Sequence, residues 1–67
     1  MIAVSSHMMN AIRESLKNVS QNLDGLVPLK EMDHHYCSLD KIEGKSGYKP
    51  LFTVDVDGKR VFIYLKI

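Results

Sequence analysis

The stretch KPLFTVDVDGKRVFIYLKI, residues 49–67, constrains this chain more than any other. Asp57-Gly58 is the dipeptide that a type I′ turn favours, because both of its central residues need positive φ. Alternating apolar runs flank it, so the pattern predicts a β-hairpin. A two-residue turn also fixes the register: Val56 opposite Lys59, Asp55 opposite Arg60, Val54 opposite Val61 and Phe52 opposite Ile63.

That register sorts the side chains into two faces. One carries Phe52, Val54, Val56, Val61, Ile63, Leu65 and Ile67, almost wholly aliphatic and suited to a helix. The other is polar near the turn, where Asp55 and Arg60 oppose one another as a favourable pair. Farther out it gathers Leu51, Phe62 and Tyr64. Monomers rarely expose large apolar patches, so these three residues are the candidate partner-binding surface. The alternation runs on to Ile67, which leaves open whether that strand is an edge with free backbone groups or lies centrally.

The first third predicts a helix over residues 5–24. Ser5 and Ser6 are candidate N-caps, and Met9, Ile12, Leu16, Val19, Leu23 and Leu26 recur at gaps of 3, 4, 3, 4 and 3. Asn10, Arg13, Glu14, Lys17, Ser20 and Gln21 form the opposite, solvated face. Gly25 and Pro28 end the element. The narrow stripe suits a helix lying on its own sheet, and also a seam with a second copy.

At 67 residues the chain makes one domain and buries only roughly 60% of its unfolded surface. Its lone cysteine, Cys37, supplies no internal disulfide, so a tight core, a metal or oligomerisation must stabilise it. A net charge of +1 excludes a strong generic polyanion binder. Neither a positively charged leader nor a membrane-length apolar run of roughly 18 residues is visible. With a single cysteine, this pattern predicts a reducing, cytoplasmic setting.

MDHHYCSLD, residues 32–40, concentrates the polar chemistry. Strand alternation puts His35, Cys37 and Leu39 on one face and His34, Tyr36, Ser38 and Asp40 on the other. Zinc needs about four converging ligands, and only the His35/Cys37 pair converges, so no metal site is expected. A Cys37 nucleophile lacks an orienting group and an oxyanion donor. EGKSGYKP, residues 43–50, contains Gly-Lys-Ser, but Leu39 stands where a phosphate loop needs its first glycine. Lys41, Lys45, Tyr48 and Lys49 remain as a candidate phosphate-contacting patch.

One helix followed by a strand opening on His34-His35-Tyr36 resembles the HicA-type mRNA interferases. These are small αβββα domains with a catalytic histidine in a Gly-Ser-His context on the first strand. The resemblance covers about half of the chain, and Met32-Asp33 stands where that family has Gly-Ser. It implies RNA cleavage with His34 or His35 as the general acid or base, a role that imidazole suits near neutral pH. SGYKPLFTVDVDGKRV is in turn similar to the middle strands of double-stranded RNA-binding domains.

The expected fold is α+β: an N-terminal helix packed on a three-stranded antiparallel sheet, in the order α-β-β-β. The expected function is non-enzymatic, without cofactor or membrane. It is that of a small intracellular regulator or inhibitor that binds protein, as a homodimer, through Leu51, Phe62 and Tyr64. Phage or mobile-element proteins directed at host machinery are of this size. The alternative is a nucleic-acid-associated module or ribonuclease.

Overall fold

The computed structural model describes residues 4–19, 21, 25–43 and 46–67. Its elements run α1 (Ser6–Val19), β1 (Val27–Pro28), β2 (His35–Ser38), β3 (Tyr48–Val56) and β4 (Lys59–Lys66). The class is α+β as expected, but the antiparallel sheet has four strands rather than three, in the order β1-β2-β4-β3. The extra strand is β1, where Val27 pairs with Cys37 and Pro28 with Tyr36. Two residues offer no alternation to read. Pro28 reads as a helix stop, yet proline is tolerated on an edge strand whose nitrogen faces away from the ladder.

Ser5 caps α1: its Oγ accepts the Met8 N–H at 3.1 Å while its carbonyl accepts the Met9 N–H. These bonds satisfy donors that the first turn otherwise leaves free. The buried arc is Met8, Ala11, Ile12, Ser15 and Val19, with Met9 and Leu16 only partly covered. The apolar stripe is therefore rotated from the one that spacing alone predicts. Small Ala11 and Ser15 let the helix settle close to the strands, and Ser15 Oγ donates to the Pro28 carbonyl at 3.1 Å. The expected continuation over 20 and 22–24, with Leu23, lies outside the described residues.

The hairpin register is as expected from Val56↔Lys59 to Phe52↔Ile63. Asp57 and Gly58 have φ of 50° and 78°, as a type I′ turn requires. Between Pro50 and Phe52 the ladder slips, which makes Leu51 a β-bulge, and beyond it Pro50 pairs with Tyr64 and Lys49 with Leu65. β4 lies centrally between β2 and β3, so its backbone groups are used on both sides. Of the two placements left open for the last strand, the central one holds, and the long edge is β3. Val54, Val56, Val61, Ile63 and Cys37 meet α1 in one core.

Candidate functional site

The sheet face away from α1 holds most of the aromatic residues. The chain has three tyrosines and two phenylalanines. The register sets Tyr36, Tyr48, Phe62 and Tyr64 on this outer face and leaves Phe52 on the helix side. Tyr36 and Tyr48 meet edge to face, with ring centroids 5.3 Å apart.

Of the three residues expected to be exposed together, Tyr64 is not. It is 1% exposed, and its Oη accepts the Ile42 N–H at 2.6 Å. Residues 39–43 thus strap part of the outer face, and Asp40 N–H donating to Ser38 Oγ at 3.1 Å turns the strap over. Gly25 closes in from the other side: a Cβ there would meet Ser38 Oγ at 3.3 Å and Ile42 Cδ1 at 3.6 Å. Leu51 and Phe62 remain half-buried. Together with Lys41, Pro50, Thr53 and Tyr64 they line a hollow of about 220 Å³.

The lysine patch is not gathered on this surface. Lys41 Nζ lies 3.2 Å from Glu43 Oε1. Tyr48 pairs with Lys66 while Lys49 pairs with Leu65, so Tyr48 and Lys49 stand on opposite faces. Lys45 lies outside the described residues.

The two histidines of the motif part company. His34 is exposed at φ 65°, and its carbonyl accepts the Lys66 N–H at 2.7 Å. It serves as the corner that leads into β2. His35 faces a cleft of about 650 Å³ beneath the start of α1, where Met8, Met32, Leu51 and Phe52 supply the apolar lining. His35 Nδ1 lies 2.9 Å from the Asp33 carbonyl, which can only accept, so the proton sits on Nδ1 and Nε2 is left as the basic nitrogen. A second histidine, His7, lines the same cleft with Nδ1 3.6 Å from Glu31 Oε2. Among the described residues, that lining contains no lysine or arginine to meet a phosphate. Among the described residues, no group of three or more His, Cys, Asp or Glu side chains is placed to hold a metal ion.

Cys37 is fully buried in the core. Burial outweighs its hydrogen bond with Ser15 and pushes the thiol up from 9.0 to about 11. Below pH 9 the folded and unfolded thiols are both protonated, and this contribution to stability is fully present. Above it the unfolded thiol ionises first, so stability is lost as the pH rises toward 11, by up to about 3 kcal/mol. Urea unfolding at pH 8, 9, 10 and 11 checks this. Cys37→Ala is expected to flatten the decline, and an equal decline in both proteins would refute the assignment.

Sequence reasoning missed the strap and the cleft. An apolar Ile42 alone in a polar connector was the signal for the first. The cleft has no such signal, since residues from α1, the 29–34 turn, β2 and β3 meet only in the fold. Among the described residues, no helix is long and apolar enough to cross a membrane. Comparison with known proteins yields no matching family model, curated protein or solved structure.

Proposed function

We propose that this chain is a non-enzymatic, intracellular regulator or inhibitor that binds another protein through its outer sheet face. The observation that carries the reading is the hollow between Leu51 and Phe62, bounded by Pro50 and Thr53. Both side chains are half-buried; Phe62 lies on the face that α1 does not cover, and Leu51, at the bulge, reaches both this hollow and the cleft beneath α1. A shallow apolar hollow with a polar rim is the anatomy of an anchor-residue site, where one buried side chain of the partner supplies much of the affinity. Nucleic acid is the weaker reading, because Lys49 stands on the face opposite Tyr48 and Lys41 is turned toward Glu43.

Affinity capture with the wild-type chain and with Phe62→Asp, compared by quantitative mass spectrometry, tests this. At least one protein is expected to be held by the wild type and depleted about tenfold or more by the variant, since a charge in the hollow faces an apolar anchor. Circular dichroism and a thermal melt establish that the variant is folded. A captured set that is identical for both folded proteins removes the outer face from consideration.

A further inference from the structure

We propose that two copies of this chain associate through the free edge of β3, pairing residues 52–56 antiparallel about a two-fold axis at Val54. The strand edge adjoins the outer-face hollow at Thr53 but is a different surface, and the inference does not rest on that reading. Among the described residues β3 pairs only with β4, which leaves the other side of residues 52–56 open.

The backbone decides which part of this edge is usable. Across a two-residue turn, Val56 and Lys59 form a hydrogen-bonded pair, and such pairs alternate with non-bonded ones. Val56, Val54 and Phe52 therefore turn their N–H and C=O groups toward β4, whereas Asp55 and Thr53 turn theirs outward. Pro50 is opposite Tyr64 at the next outward position, and it has no N–H to offer. The bulge at Leu51 further bends that half of the strand away. Thr53 and Asp55 are left as a template of two outward-facing residues with one residue between them.

That template is complementary to itself. With the axis at Val54, Thr53 of one copy lies opposite Asp55 of the other, and the relation is repeated by symmetry. Each such pair exchanges two N–H···O=C bonds. On the outer face the Thr53 hydroxyl can donate to the Asp55 carboxylate, which already lies 3.8 Å from Arg60 Nε. On the helix face Val54 meets its own copy, and Phe52, half-buried at the edge, meets Val56. An axis at Asp55 would instead set two carboxylates face to face. An axis at Thr53 would run the pairing into the bulge.

Sedimentation velocity over a concentration series tests the inference with opposite charges at one position. Thr53→Asp places like charges opposite one another at both symmetric pairs and is expected to weaken association about tenfold or more. Thr53→Lys places an ammonium opposite Asp55 and is expected to tighten it. As a second readout, oxidised Val54→Cys is expected to give a disulfide-linked dimer. Residues opposed in a non-hydrogen-bonded pair lie about 4.5 Å apart at Cα, within disulfide reach. A wild-type chain that stays monomeric to about millimolar concentration overturns the proposal. So does a shift in the same direction for both Thr53 variants, or an oxidised Val54→Cys protein that forms no linked dimer. Failure here leaves the effect of Phe62→Asp untouched.

Discussion

Tyr64→Ala is expected to leave the chain unfolded or nearly so at 25 °C. Tyr64 is the largest of the fully buried side chains. Truncating a buried aromatic residue to alanine costs about 3–5 kcal/mol, and a chain of this length has about 3–10 kcal/mol to lose. The loss reaches beyond the ring. β4 pairs with both neighbours at or beside this residue, and residues 39–43 are tied down by the bond from Ile42 N–H to Tyr64 Oη.

Tyr64→Phe separates the two contributions. It keeps the ring and removes only the acceptor, so it is expected to cost about 1 kcal/mol, within the usual range for one hydrogen bond. Hydrogen exchange at the Ile42 amide should quicken while the β3–β4 amides stay protected. Unchanged Ile42 exchange together with unchanged urea stability would remove the strap as a structural element.

The second large effect is expected from Ile12→Ala, at about 2–5 kcal/mol in chemical denaturation. Ile12 is 0% exposed at the middle of α1. Leu16→Ala is the informative comparison. The 3-and-4 spacing places Ile12 and Leu16 on the same stripe, yet Leu16 is only partly buried. Its truncation is expected to cost less than half as much, because part of its surface meets water in either state. Equal losses would restore the stripe drawn from spacing and contradict the rotation of α1.

The hairpin was the most legible element because its information is local. Asp57-Gly58 sets the turn, the turn sets the register, and alternation sets the faces. The N-cap at Ser5 was readable for the same reason. The rotation of α1 was not, because Ala11 and Ser15 become core positions only once a sheet lies close beneath them. Within β2 the motif divided as alternation required, with His35 and Cys37 on one face and Tyr36 and Ser38 on the other, but His34 is the corner before the strand and the surroundings were hidden. Only the folded chain brings His7 and Glu31, which are distant from each other in sequence, to the cleft that His35 lines.

The candidate partner surface shows the boundary most sharply. From the sequence, Leu51, Phe62 and Tyr64 share one face of a hairpin, and the register confirms the side on which Phe62 and Tyr64 lie. The tertiary structure then separates them, burying Tyr64 against the Ile42 strap while Leu51 and Phe62 keep a hollow between them. The type I′ turn, the hairpin register next to it and strand alternation follow from neighbours along the chain, and the sequence determines them alone. Exposure depends on which distant segment comes to rest on a face, and that is decided only when the whole chain closes around one core.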